Sequence, residues 1–147
     1  MKSLDYEVLK QDVIKALENS NSIVLATCNN NRVTAREVYF ASNDFRIFFI
    51  TSKAYDKCKQ IEKNNNVALC LGNIQMEGTA TIKGHPNLAD NINERTVCLN
   101  KSKENFEQYF KYKNIVLIEV VVSNVKLWNN GGREYLDINK HRAYRIG

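Results

Sequence analysis

The sequence predicts a mainly β protein: a small antiparallel barrel of six to seven strands with flanking helices. Runs rich in β-branched and aromatic residues recur from Ser22 onward, and short segments rich in Asn and Gly separate them. Helical periodicity is confined to the first residues and to two later segments. Strands in mostly adjacent order, with helices inserted at the ends, are typical of such a barrel.

The first half of the chain begins with a helix and continues as strands. Apolar residues at helical spacing predict an amphipathic helix over residues 4–19, which ends in Asn19-Ser20-Asn21. Three strand-like runs follow: SIVLATC, VTAREVYFA and RIFFITS. We interpret them as a three-stranded meander with a tight turn at Asn43–Asp44, followed by a helix over residues 53–63.

The second half alternates strands with a helical insertion. NVALCLG and IQMEGTATIKG predict two strands joined at Gly72-Asn73. Pro86 is predicted to begin a helical insertion over about residues 86–112, broken near Asn100–Ser102. IVLIEVVVSNVKLWNN predicts a long strand bent at Ser123-Asn124, and EYLDINKHRAYRIG predicts one closing strand.

Size and composition favour one cytoplasmic domain. A length of 147 residues predicts a single domain over 1–147 with a substantial core. Hydrophobic residues at 44% and charged residues at 25% are ordinary for a soluble globular protein. We find neither an apolar run of membrane-spanning length nor a signal peptide, so we expect no membrane partner.

Charge and cysteine content disfavour nucleic-acid and metal binding. The net charge of +5 is spread along the chain, whereas nucleic-acid binding requires a contiguous basic face. The four cysteines form no CxxC pair and match no zinc signature. We expect them to be reduced thiols in an intracellular protein, and we predict no metal site.

Two strands are apolar on both faces, which predicts a covering partner for the sheet. VALCL and IVLIEVVV can each fill the barrel with one face only. The other face must be covered by helices or by a second subunit, because an exposed apolar sheet face promotes aggregation. We therefore expect a homodimer.

Four residues predict a phosphate-binding corner. Counting back from a turn at Asn43–Asp44 places Arg36 opposite Thr51 on the next antiparallel strand. Ser52 is predicted to cap the following helix, and Lys57 to lie about one turn into it. A helix N-terminus flanked by two cations suits a phosphate.

Structural explanations for the same residues stay open. Arg36 could pair with an acid at an interface, although the neighbouring Glu37 points to the opposite strand face. Lys57 could be a solvated helix lysine, and Thr51-Ser52 an ordinary cap. No serine or carboxylate stands at a suggestive spacing from a histidine, so we predict no catalytic residue.

Short motifs in a fixed order resemble a known family. After the leading helix come Leu25-Ala26-Thr27, Arg36-Glu37-Val38, Ile50-Thr51, a Lys-x-x-Gln-Ile run that begins at Lys57, and Gly78-Thr79-Ala80. The set resembles the pyridoxamine 5′-phosphate oxidase-like, FMN-binding split-barrel proteins over roughly residues 4–130. The resemblance implies a split barrel that binds FMN in a groove at a homodimer interface.

The resemblance also implies roles for individual residues. Arg36 and Lys57 would hold the FMN phosphate, Thr51 and Ser52 would donate hydrogen bonds to it, and the backbone of Glu37, Val38 and Ile50 would border the isoalloxazine ring. Either Gln75 or Asn73 would correspond to a glutamine near the flavin, and Trp128 to a tryptophan beside it. Plain strand and packing roles remain open for Gln75 and Trp128. Asp56 stands where the family has a second basic residue, and Lys53 could compensate.

The resemblance predicts an FMN-dependent oxidoreductase. The flavin would carry the electron chemistry, NADH or NADPH would be the electron donor, and the acceptor would be a small molecule. A non-enzymatic flavin-binding or stress-associated protein is the first alternative. The second is the same barrel holding a deazaflavin or a haem, for which His85 and His141 are the obvious axial candidates.

Overall fold

The computed structural model describes all residues, Met1–Gly147, as ten strands and four α-helices. The strands are β1 (Lys2–Ser3), β2 (Ser22–Asn29), β3 (Arg32–Tyr39), β4 (Ala41–Asn43), β5 (Arg46–Ser52), β6 (Asn66–Leu71), β7 (Ile74–Ile82), β8 (Ile115–Asn129), β9 (Gly132–Asp137) and β10 (Arg142–Ile146). The helices are α1 (Tyr6–Glu18), α2 (Asp56–Lys63), α3 (Ile92–Lys101) and α4 (Lys103–Phe106). Single 3₁₀ turns precede α3 and follow α4.

The strands form an antiparallel sheet that does not close. Hydrogen-bonded neighbours run β1-β10-β9-β8-β7-β6-β2-β3, and β5 joins the first half of β8 on the side that β9 uses in its second half. β4 pairs only with β5, and β3 ends the other edge. The predicted class, a mainly β split barrel with flanking helices, is confirmed.

Helix α1 packs against the core of the barrel. Its buried stripe is Leu9, Val13 and Leu17, and these side chains join one apolar cluster with the inward residues of the strands. Asp5 caps the helix, because its side chain accepts a hydrogen bond from the Val8 amide at 3.1 Å. The predicted amphipathic helix is therefore observed at nearly the predicted bounds.

Helices of the insertion cover one apolar sheet face. Phe48 of β5 and Leu117 of β8 point away from the barrel and pack with Cys98 of α3 and Phe106 of α4. The chain itself therefore covers the second face of the IVLIEVVV strand around Leu117, whereas Val121 on that face stays half exposed. The insertion starts later than predicted, because residues around Pro86 form a loop rather than a first helical turn.

The predicted three-stranded meander is wrong. β3 pairs with β2, which places Arg36 opposite Leu25, and β5 pairs with β8 instead of β3. The chain leaves the β2–β3 ladder at Phe40, whose side chain is fully buried and whose amide donates to the Asn21 carbonyl at 3.2 Å. Burial of that aromatic ring turns the backbone inward, so Arg36 and Thr51 are not ladder partners.

Two smaller predictions also need correction. The β4–β5 hairpin pairs Asn43 with Arg46, so its turn is Asp44-Phe45 rather than Asn43–Asp44. The predicted closing strand is a hairpin of β9 and β10. The Asp137 side chain accepts from the Lys140 amide at 3.0 Å, and His141 has a positive φ of 55°, which together close a tight turn.

The long strand β8 carries a bulge at the predicted bend. Glu77 pairs with Asn124 and Gly78 with Val122, so Ser123 is an extra residue opposite β7. The Ser123 hydroxyl donates to the Glu77 carbonyl at 3.2 Å. The bulge allows β8 to pair with β5 in its first half and with β9 in its second half.

Candidate functional site

A cleft of about 260 Å³ lies between β3, β5 and the start of α2. Residues from α4 and the 3₁₀ turn after it form its outer wall. Six of the ten predicted cofactor-binding residues line this cleft: Glu37, Val38, Ile50, Thr51, Ser52 and Lys57. The tertiary structure thus brings together residues of three separate elements.

Thr51 presents an unsatisfied hydroxyl in this cleft. The residue is 4% exposed, and its Oγ1 has no hydrogen-bond partner in the protein. A buried hydroxyl without a partner is unfavourable, so such groups usually meet a partner in the functional state. A ligand oxygen or a water in the cleft would satisfy it.

Ser52 is the last residue of β5 and not the predicted helix cap. Its Oγ accepts a hydrogen bond from the Ala54 amide at 3.2 Å and one from Asn114 Nδ2 at 3.0 Å. The hydroxyl proton remains available for donation to an anion. Tyr55 is the residue that precedes α2, and it makes no side-chain capping bond.

Lys57 therefore lies in the first turn of α2, closer to the helix start than predicted. Its Nζ lies 4.6 Å from the centre of the Tyr55 ring. Burial, and then the nearby charge of Arg36, lower the pKa of Lys57 below its ordinary value. The two cations are thus close enough to repel each other.

Arg36 of β3 does not line the cleft, although its charge acts on Lys57. Its guanidinium donates to the Leu25 carbonyl at 3.2 Å, to Thr27 Oγ1 at 2.9 Å and to Thr34 Oγ1. Burial lowers the pKa of Arg36, although the charge of Asp56 acts in the opposite direction. Glu37 does not pair with it, because its carboxylate accepts from the Ser22 hydroxyl at 2.8 Å.

Neither cation of the pair has a carboxylate partner. The ion pairs of the protein include neither Arg36 nor Lys57. Asp56, the acid beside Lys57, pairs with Arg32 at 3.5 Å on the exposed surface. A lysine without an ion-pair partner next to the orphaned Thr51 hydroxyl, with a second unpaired cation near that lysine, is suited to an anion with several acceptor oxygens.

Sequence reasoning missed a polar network that supports this corner. Gln60 of α2 is 6% exposed, and its Oε1 accepts from the hydroxyls of Thr27 and Thr34, both at 2.6 Å. Its Nε2 donates to the Arg32 carbonyl at 3.2 Å. The sequence contains one indication of this role: Gln60 follows Lys57 at i+3 and therefore lies on the same face of the helix.

The other predicted flavin residues lie outside this cleft. Asn73 is in the β6–β7 turn, where its side chain donates to the Trp128 carbonyl. The Trp128 ring is 55% exposed, with Arg133 lying over it at 5.2 Å. Gln75 lines a separate cleft of about 490 Å³ on the outer sheet face. A single chain therefore does not unite these three residues with the phosphate corner.

The outer face of β2 and β6 is apolar and open. Val24 pairs with Cys70 and Ala26 pairs with Ala68, so these four side chains share one face. They line the 490 Å³ cleft, and Ala68 also borders a neighbouring cleft of about 370 Å³. In contrast to the outer face of β5 and β8, no helix of the chain packs on this surface.

Comparison of the sequence with known proteins identifies one protein family. The sequence profile described as pyridoxamine 5′-phosphate oxidase matches residues 9–129. The chain is similar to general stress protein 26 of Bacillus subtilis, with 26% identity over 140 residues that cover 87% of this chain and 94% of that protein.

Solved structures agree on the fold. General stress protein 26 from Bacillus anthracis aligns with a TM-score of 0.68 at 22% identity and covers 88% of this chain and 98% of that one. HutZ, a heme storage protein from Vibrio cholerae, aligns with a TM-score of 0.66 at 12% identity and covers 78% and 90% of the two chains.

No helix of the structure has the length and apolar character to cross a bilayer.

Proposed function

The chain belongs to the pyridoxamine 5′-phosphate oxidase family, and on this basis we propose that it is an FMN-binding flavoprotein and an oxidoreductase. NADH or NADPH would donate electrons, and a small molecule would accept them. The observation that carries the proposal is the cleft in which Lys57, a cation without an ion-pair partner, meets the partnerless hydroxyl of Thr51. The charge of Arg36, which also has no ion-pair partner, acts on Lys57 from outside the cleft lining. The four cysteines are free thiols, which supports a cytoplasmic location as part of the proposal.

The residues of the corner fit a phosphate monoester. Such a group carries close to two negative charges at neutral pH and offers three acceptor oxygens. Lys57, Thr51 and Ser52 line the cleft and can donate to those oxygens, and Arg36 would add donors from beside it. The first amides of α2 have no intrahelical acceptor and add further donors at the same end of the helix.

The remaining walls of the cleft would orient the rest of the cofactor. Val38 and Ile50 supply apolar surface next to the phosphate corner, and Phe106 and Tyr109 face them across the cleft. When bound, FMN supplies the reversible electron transfer chemistry. The side chains of this protein bind the phosphate, hold the ring in one orientation and limit access of water to it.

A homodimer would complete the site. The 260 Å³ cleft is small for a whole flavin, since pockets for such ligands span roughly 300–1,000 Å³. The open apolar outer face of β2 and β6 offers a surface for a second copy. In this arrangement Gln75 or Asn73 and Trp128 of the second copy would approach the ring.

Removal of both cations tests the proposed corner. Arg36→Ala combined with Lys57→Ala should weaken FMN binding by more than a hundredfold, because each charge-assisted contact contributes about 1.5–3 kcal/mol. The measurement is a fluorescence titration of the apoprotein with FMN. Lys59→Ala combined with Lys63→Ala removes the same charge from exposed positions of α2 and is the matched control. Equal FMN affinity in the two double variants would contradict the proposed site.

Reduction of the bound flavin by NADH or NADPH distinguishes a flavin-dependent oxidoreductase from a protein that only binds flavin. Rapid anaerobic mixing of the FMN-loaded protein with NADH or NADPH should bleach the flavin absorbance. An unchanged spectrum with both donors would support the alternative of a non-enzymatic flavin-binding or stress-associated protein. The similarity to general stress protein 26 is the observation that keeps this alternative open.

Haem is a second candidate cofactor because HutZ, a heme storage protein, shares the fold. Neither histidine of this chain lines the phosphate cleft. His85 contacts the Tyr112 carbonyl at 2.8 Å, and His141 stacks on Tyr6 with ring centres 3.8 Å apart. An absorption spectrum of the purified protein distinguishes flavin, deazaflavin and haem directly.

A further inference from the structure

We propose that Gln60 is a positioning residue for the anion site, and that it acts by holding Arg36 through neutral groups only. Thr27 and Thr34 connect the two side chains. The arrangement would leave the Arg36 charge without an internal counter-ion, so that the bound anion becomes the counter-ion. This inference rests on the proposed function, since it concerns the same phosphate corner.

The chemistry of the groups determines the direction of the hydrogen bonds that Arg36 makes in this network. An arginine can only donate, so Thr27 Oγ1 and Thr34 Oγ1 must accept from Arg36. Each threonine hydroxyl can still donate its own proton, and both donate to Gln60 Oε1 at 2.6 Å. The side-chain oxygen of Gln60 is therefore the acceptor for both threonine hydroxyls.

All of these partners are uncharged, which distinguishes Arg36 from Arg46, another partly buried arginine of the barrel. Arg46 contacts two buried carboxylates, those of Glu94 and Glu119, and hydrogen bonding to Glu119 raises its pKa. Arg36 contacts only hydroxyl and carbonyl oxygens, and burial lowers its pKa. Arg46 thus has an internal counter-ion, whereas no carboxylate is in contact with Arg36.

The same residue also sets the spacing of the two cations. Gln60 lies one turn after Lys57 on α2, and its hydrogen bonds fix that helix face against β2 and β3, which carries Arg36. The short bonds to both threonines hold α2 in one position. The mutual repulsion of Arg36 and Lys57 is thereby maintained until an anion relieves it.

The test is the isosteric charge change Gln60→Glu, measured by titration with FMN and with riboflavin, which lacks the phosphate. The introduced carboxylate can still accept from both threonines, although it loses the bond that Gln60 Nε2 donates to the Arg32 carbonyl. Arg36 thereby gains a counter-ion while its threonine partners stay in place. We expect FMN affinity at about pH 8 to fall about tenfold or more, with little change for riboflavin. The ratio of wild-type to variant affinity should approach one as acid protonates the new carboxyl, because the protonated side chain is neutral like glutamine.

Controls separate this electrostatic role from damage to the fold. Gln11→Glu adds the same charge on the exposed side of α1 and should leave FMN affinity unchanged. An equal loss for FMN and riboflavin, or a loss independent of pH, would overturn the inference. Unchanged FMN affinity of Gln60→Glu at about pH 8 would overturn it as well.

Two substitutions of Thr34 test the role of the network if the Gln60→Glu variant does not fold. Thr34→Val removes the oxygen that accepts from Arg36, whereas Thr34→Ser keeps it. We expect weakened FMN binding in the valine variant and near wild-type binding in the serine variant; equal binding in both would overturn the inference. Arg36→Ala is the reference: if it binds FMN normally, the proposed function itself fails, whereas its loss of binding beside a normal Gln60→Glu refutes only the role of Gln60.

Discussion

Lys57 combines partial burial with a neighbouring positive charge, and both destabilise its protonated form. The resulting pKa lies below the ordinary value for lysine. A bound phosphate has the opposite effect, because a negative charge in contact stabilises the ammonium. Affinity for a phosphate ligand is therefore complete below the pKa of Lys57 in the free protein and falls as the pH rises through it.

The pH dependence of FMN binding reports this residue. We expect the FMN affinity of the apoprotein to decline at a lower alkaline pH than an ordinary lysine would cause. Lys57→Arg should remove the decline, because guanidinium stays protonated throughout this range. Lys59→Arg, at an exposed position of the same helix, should retain it. The same alkaline profile in wild type and Lys57→Arg would show that Lys57 does not contact the anion.

At the scale of elements, the pairing of β7 with β8 depends on one glycine. A Cβ atom added to Gly78 would lie 2.5 Å from the Val121 carbonyl oxygen and 2.9 Å from Val120 Cγ1. The contact is with backbone at the β8 bulge, which cannot rotate away as a side chain could. The glycine of the Gly78-Thr79-Ala80 motif is thus explained by close strand approach.

Replacement of that glycine should destabilise the barrel. We expect Gly78→Ala to lower the free energy of unfolding by about 1–3 kcal/mol, as overpacking commonly does. Urea denaturation followed by circular dichroism measures the change. Thr79→Ala, the exposed neighbour on the same strand, is the control and should change stability little. Equal midpoints for the two variants would contradict the close-approach explanation.

At the scale of the whole molecule, the open face of β2 and β6 determines the expected assembly. We expect a dimer by light scattering at micromolar concentration, because this face is apolar and no helix covers it. Ala68→Arg places a charge where both clefts of that face meet. It should give a monomer with strongly reduced FMN affinity, because the second copy would supply part of the site.

A charge elsewhere on the surface is the matched comparison. Gln11→Arg, on exposed α1, should stay dimeric and bind FMN normally. If Ala68→Arg retains both the dimer mass and FMN affinity, the shared site at this face is wrong. If it becomes monomeric but binds FMN fully, the corner formed by Arg36 and Lys57 suffices within one chain.

Local patterns were read correctly where the information is local. The α1 stripe, the Gly72-Asn73 turn and the helix break near Asn100–Ser102 were predicted from local patterns, and the structure has each of them. Pairing between distant strands was not read correctly, because β5 chooses β8 through contacts that no local pattern encodes. Phe40 illustrates the difference, since its burial redirects the chain although its sequence context continues the strand.

The sequence by itself determined the class of the fold and named six residues that line the candidate cleft, because strand periodicity and motif order are properties of neighbouring residues. Only the tertiary structure decided how the corner is built. The threonine–glutamine support of Arg36 joins residues 33 positions apart in the chain, and the orphaned state of Thr51 is a consequence of burial. Hydrogen-bond partners and desolvation depend on distances in space, which a linear pattern does not contain.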